Sequence, residues 1–171
     1  IIDRAFKLSK LEGENRKLAT LSHKAPLEGL VTASEEMLEV CRTVEKIASA
    51  NIATLLLGES GTGKEVLAQF VHKNSPCKDG PFIAINCAAI PENMLEAILF
   101  GYEKGAFTGA TQAMPGKFEL AQGGTLLLDE VSEMDINLQA KLLRVIQEKE
   151  VERLGSSRKI NLNVRILATT N

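Results

Sequence analysis

The chain has 171 residues, 44% of them hydrophobic and 25% charged, with a formal net charge of −2. This is the composition of an ordinary soluble globular domain rather than a disordered or fibrous chain. The slightly negative balance disfavours a dedicated nucleic-acid groove binder, and 4% aromatic residues with no Trp disfavour a base-stacking platform for single strands. The longest apolar runs, such as residues 52–57, are too short to span a bilayer, so no membrane partner and a cytoplasmic location are expected. Three cysteines, Cys41, Cys77 and Cys87, are odd in number and lack paired spacing, which points to reduced thiols rather than a disulfide framework or zinc site. The chain begins at Ile1 rather than Met and stops at Asn171 directly after an apolar run, so both ends read as cuts in something longer.

In chain order, residues 1–25 form the first predicted element. Leu8, Leu11, Asn15 and Leu18 alternate at spacings of three and four, which fits a short coiled-coil seam in which Asn15 fixes a dimer register. A solvated linker helix without a partner fits the same residues equally well. Ala25-Pro26 ends this element in either case, and residues 26–171 read as one further domain. Within it, residues 34–50 place Met37, Leu38, Cys41, Val44, Ile47 and Ala48 on one helical face behind Ser34 as N-cap.

Four Ile/Leu/Val-rich runs follow at 52–57, 82–85, 125–128 and 164–168, separated by helix-period stretches at 66–71, 94–99 and 138–146. Pro91 sits near one helix start and Asp135 is a candidate cap for another. Apolar strands alternating with amphipathic helices predict a parallel sheet covered on both faces, the three-layer α/β class. The segment 101–116, with four glycines and a proline, has no clear period and reads as a functional loop.

Chemistry concentrates at the carboxyl ends of the predicted strands. Gly58, Glu59, Ser60, Gly61, Thr62, Gly63, Lys64 and Glu65 lie between a strand and a helix. The glycines there allow backbone N–H groups to surround a polyphosphate, the helix N-terminus adds positive potential, and Lys64 reaches the terminal phosphates. Glu65 replaces the usual Ser or Thr, so metal binding leans on another acid, with Glu65 acting at most through water. The run 123–128 ends in Asp129-Glu130. A strand-terminal Asp129 suits Mg²⁺, and Glu130 suits polarisation of an attacking water. Asn86 and Asn171 end neighbouring strands at the same edge and are candidates to bond Glu130, the water or the γ-phosphate.

GESGTGKE at 58–65, GAFTGA at 105–110 and GGTLLLDE at 123–130 together resemble the AAA+ ATPase domain of NtrC-like activators of sigma-54 RNA polymerase. The resemblance covers 29–171 and implies a P-loop NTPase core, here truncated before its last strand and helical lid and preceded by a linker helix. ATP and Mg²⁺ are the implied cofactors, and Glu65 is expected in this family's phosphate loop. It also implies that Gly105, Ala106, Phe107, Thr108, Gly109 and Ala110 contact the sigma factor, with 152–156 as a second surface loop beside them. By the same analogy Asn86 couples Glu130 to the γ-phosphate, Asn171 is a sensor, and Leu30 and Val31 line the adenine pocket. Tyr102 stands where many members have His. The implied partners are sigma-54 holoenzyme and further copies of the chain, as an inactive dimer and an active ring. DNA is contacted only through a domain outside this chain. The competing readings are a nucleotide-binding dimerisation module with negligible turnover and a generic AAA+ remodelling ATPase.

Overall fold

The computed structural model describes residues 34–171, which belong to a unit beginning at Thr32. The linker helix with its Asn15 seam, and Leu30 and Val31, lie outside the described residues. The order is α1 (Glu35–Ala48), β1 (Thr54–Leu57), α2 (Lys64–Lys73), β2 (Phe82–Asn86), α3 (Glu92–Phe100), β3 (Gly101–Tyr102), β4 (Met114–Pro115), α4 (Lys117–Leu120), β5 (Thr125–Asp129), a 3-10 turn (Val131–Glu133), α5 (Ile136–Glu148), β6 (Glu150–Glu152), β7 (Lys159–Asn161) and β8 (Arg165–Thr170).

The main sheet is wholly parallel with strand order β1-β8-β5-β2. Within residues 34–171, each predicted strand and helix appears within a few residues of its expected bounds. Ser34 caps α1 by accepting the amide of Met37 at 3.4 Å, and Asp135 caps α5 by accepting the amide of Asn137 at 2.8 Å, each satisfying an amide the helix leaves open. Burial on both faces holds for β5, whose residues 125–128 are all buried, but it fails for β1: Leu55 is 52% and Leu57 71% exposed. The reason is position. Among the described residues β1 is the outer strand and pairs only with β8, so its apolar residues alternate between a packed and an open face.

Two elements escape the sequence reading. The 101–116 segment is not structureless at its ends, since β3 and β4 pair antiparallel at its base. The β6–β7 hairpin carries one buried side chain, Val151, too little to produce a period. A third surprise is Arg165 at the start of β8, 2% exposed inside an apolar run. Its guanidinium donates to the carbonyls of Ala48 at 2.6 Å and Ile47 at 3.0 Å, so the negative end of α1 receives a cation and the helix is tied to the sheet.

All three cysteines are free thiols, in different surroundings. Burial, reinforced by the charges of Asp129 and Glu130, pushes the Cys87 thiol up to about 12. Burial, with Glu45 nearby, also raises that of Cys41. Cys77 is partly exposed. Because the thiolate is the reactive form, iodoacetamide at pH 8 is expected to alkylate Cys77 in the folded protein and to leave Cys87 untouched until denaturant is added. Peptide mass mapping reads the order, and equal labelling of the two contradicts it.

Candidate nucleotide and partner-contact sites

The carboxyl edge of the sheet gathers the residues that the sequence singles out. Gly61 and Gly63 adopt φ of 81° and 86°, a left-handed backbone that favours glycine. They turn the chain from β1 into α2, with Gly63 directly before the helix. Thr62 closes the loop by donating its hydroxyl to the carbonyl of Glu59 at 2.8 Å. Lys64 lies at the start of α2, and its ammonium donates to the carbonyls of Gly58 and of Glu59, the latter at 3.1 Å, and to Oδ1 of Asn171 at 2.6 Å. Ser60 and Glu65 are exposed, and the carboxylate of Glu65 in the first turn of α2 complements the positive end of that helix.

Across the sheet, Asn86 and Asp129 are register partners on β2 and β5. The Asn86 amide donates to Oδ2 of Asp129 at 3.3 Å, while its carbonyl accepts the amide of Ala89 at 3.0 Å. The described hydrogen bonds therefore put Asn86 on Asp129, whereas the resemblance assigns it to Glu130. The Thr169 hydroxyl donates to Oδ1 of Asp129 and accepts the backbone amide of Glu130 at 3.0 Å. Glu130 itself sits at φ 56°, ψ 51°, a left-handed conformation costing a non-glycine residue roughly 1 kcal/mol or more. This strained turn comes immediately after the acid that Asn86 and Thr169 fix.

Lys64 is thus linked through Asn171, at the end of β8, to the strand whose Thr169 holds Asp129 and Glu130. The register Leu57↔Thr170 brings the start of the loop 58–65 to the same strand end. Of the predicted site residues, the structure assembles the loop 58–65, Asn86, Asp129, Glu130 and Asn171 on one edge. Thr169 was missed. Its only sequence signal is its place in a polar Thr-Thr-Asn ending on an apolar run.

A second constellation surrounds residues 105–110. Gly105 and Gly109 adopt φ of 84° and 101°, and the Gly105 amide donates to the carbonyl of Ala110 at 2.9 Å, closing a small loop. Thr108 is exposed at its tip and Ala110 is buried at its base. Phe107 is 45% exposed and meets the ring of Tyr102 edge-on, with centroids 4.9 Å apart. Segment 152–156 lies alongside. The Leu154 amide donates to the carbonyl of Gly101, and the Glu103 amide donates to the carbonyl of Leu154, both at 2.9 Å. Arg153 forks onto Glu119 at 2.8 and 2.7 Å and reaches Glu103 at 3.1 Å. This pairing holds the Glu119 carboxyl below its ordinary range and raises the Arg153 pKa. One guanidinium therefore ties the hairpin tip to both flanks of the glycine-bounded loop.

The sigma-54 interaction domain family model matches residues 30–171. The chain belongs to the sigma-54 interaction domain family. Its relatives are sigma-54 activators, in keeping with the AAA+ domain of NtrC-like regulators. It is 63% identical over 142 residues to the response regulator protein FleR of Pseudomonas aeruginosa, covering 83% of this chain and 29% of that protein. It is 49% identical over 172 residues to the regulatory protein AtoC of Escherichia coli K12, covering 100% of this chain and 37% of that protein. Among solved structures, NtrX of Brucella abortus in complex with ATP matches with a TM-score of 0.74 and 34% identity, covering 98% of this chain and 34% of that one. This sigma-54 interaction domain thus spans about a third of the length of such relatives. Its fold is the α/β P-loop NTPase core, and no helix among the described residues is long and apolar enough to cross a membrane.

Proposed function

We propose that this domain is the ATP-hydrolysing motor of a sigma-54-dependent transcriptional activator, and that it remodels the sigma-54 RNA polymerase closed complex through the loop 105–110. The observation that carries the reading is the gathering of Lys64, Asn171, Asp129 and Glu130 along one sheet edge. The ATP-bound relative adds support.

The loop amides of residues 58–64 and the Lys64 ammonium bind the triphosphate. Its charged oxygens replace the neutral carbonyls that Lys64 now contacts, making the stronger charge-assisted bonds. Asp129 is the residue that would hold Mg²⁺. Its carboxylate is oriented by Asn86 and Thr169, and among the described residues no cluster of three or more His, Cys, Asp and Glu gathers around one point. That donor set would fit an ion that keeps most of its waters. Glu65 would reach the metal through water at most. Mg²⁺, when bound, neutralises charge developing on the phosphoryl oxygens. Glu130 accepts a proton from the attacking water, and Asn171 senses the γ-phosphate from the side of Lys64.

Positive charge for the transition state comes from an arginine of an adjacent subunit, supplied by a part of the protein outside this chain, so turnover requires a ring and isolated subunits are slow. Residues 1–25 hold an inactive dimer, Leu30 and Val31 line the adenine pocket, and DNA is bound by a domain outside this chain. Thr108 and Phe107 meet the sigma factor at the exposed tip of their loop. The Arg153 fork onto Glu119 and Glu103 makes the second loop move with the first.

The deciding experiment is open-complex formation from a sigma-54 promoter by the full-length activator. Thr108→Ala is expected to reduce it at least tenfold, on the order of one lost hydrogen bond with its desolvation, while ATP turnover in the same sample persists. Wild-type open-complex formation by that variant refutes the assignment of the loop.

A further inference from the structure

We infer that Thr169 is the positioning residue of the hydrolytic site, a single buried hydroxyl that sets the metal-holding and water-directing acids in one geometry. The inference rests on the ATPase reading above and extends the part Thr169 plays there, from orienting Asp129 to setting Glu130 with it.

Thr169 is 0% exposed, and its register partner on β1 is Leu56. A threonine hydroxyl has one proton to give and two lone pairs. Here the proton goes to Oδ1 of Asp129, and a lone pair receives the backbone amide of Glu130 at 3.0 Å. The two acceptor and donor groups belong to consecutive residues, the first at the end of a strand and the second in a left-handed turn at φ 56°. The other non-glycine residue at positive φ among those described is Lys149, which ends α5, a common place for that conformation. Glu130 instead stands directly before the 3-10 turn Val131–Glu133, at a helix start, where the flanking residue is typically extended rather than left-handed. Its conformation persists where surrounding bonds over-determine it, and Thr169 supplies one of those bonds.

The next two residues, the last of β8 and the one after it, extend the arrangement. Thr170 donates its hydroxyl to that of Ser132 at 2.8 Å, and Asn171 accepts from Lys64. Three consecutive polar residues therefore hold the acid pair, the turn after it and the phosphate-loop lysine. Of these only Thr169 bonds to both acids of the pair. Removing its hydroxyl leaves the Glu130 amide without this partner and Asp129 held by Asn86 alone, so the chemical step suffers before nucleotide affinity, which rests on Lys64 and the loop amides.

The test compares Thr169→Val, which keeps the shape and removes the hydroxyl, with Thr169→Ser, which keeps the hydroxyl, and with Glu130→Gln, all in the full-length protein. Thr169→Val is expected to lower kcat about tenfold with ATP affinity changed less than about twofold, and to need several-fold more Mg²⁺ for half-maximal turnover. Thr169→Ser is expected to restore both. Wild-type kcat in Thr169→Val beside an inactive Glu130→Gln overturns the inference alone. Equal losses in the valine and serine variants overturn it in favour of a packing role. Normal turnover by Glu130→Gln removes the underlying reading and this inference with it.

Discussion

Glu130→Gln is expected to bind ATP almost normally while its turnover falls by roughly 10²–10⁴, the usual worth of a positioned general base. The amide keeps the size of the carboxylate and leaves the backbone turn and its bond to Thr169 in place, so the site stays assembled. What disappears is the charge that accepts a proton from water. Lys64 and the glycine turn, which lie on a different strand-to-helix connection, are untouched. Equilibrium binding of a fluorescent ATP analogue beside a phosphate-release assay separates the two effects. Unchanged hydrolysis would remove Glu130 from the role assigned to it.

Gly124→Ala is expected to destabilise the protein by about 2–3 kcal/mol, at the upper end of ordinary overpacking, and to lower Tm by roughly 5–10 °C. A Cβ built on Gly124 would lie 2.0 Å from the carbonyl oxygen of Pro81, and one on Gly80 would lie 2.2 Å from that of Gly123. The obstacle in each case is backbone, which has no rotamer to give way. The close approach is where β2 and β5 begin to pair. Thr125 donates its amide to Pro81 at 2.8 Å, and Arg165 donates its amide to Gly124 at 2.9 Å. Relief of the clash would have to shift the strand that ends in Asp129 and Glu130, so the variant is also expected to lose ATP turnover. A thermal scan with a wild-type Tm would show that the strands separate at no cost.

The GGTLLLDE run illustrates how differently its parts could be read. Its apolar middle and acidic end announce a buried strand delivering carboxylates to an edge, since four consecutive apolar or β-prone residues bury on both faces of a parallel sheet. Its glycines give no such clue, because the Pro81 carbonyl that forbids a side chain at Gly124 is 43 residues away. Likewise Arg153 lies in a segment recognised as a surface loop, but nothing local says that its partners are Glu119 and Glu103. Tyr102 and Phe107 are near neighbours in sequence, and still their edge-on contact depends on the loop closing between Gly105 and Ala110.

The alternation of strands and helices, the glycine turn ahead of Lys64, the carboxylates at the end of β5 and the caps Ser34 and Asp135 were all legible in the order of residues. All of these follow from periodicity and from backbone preferences acting over a few residues. Only the tertiary structure decided that β8 lies between β1 and β5, which sets Asn171 against Lys64, Thr169 against Asp129 and Glu130, and the cation of Arg165 under the end of α1. Parallel strands far apart in the chain choose neighbours by how their crossover helices pack, and the apolar runs that make β1, β5 and β8 eligible for a sheet are too alike to specify that order.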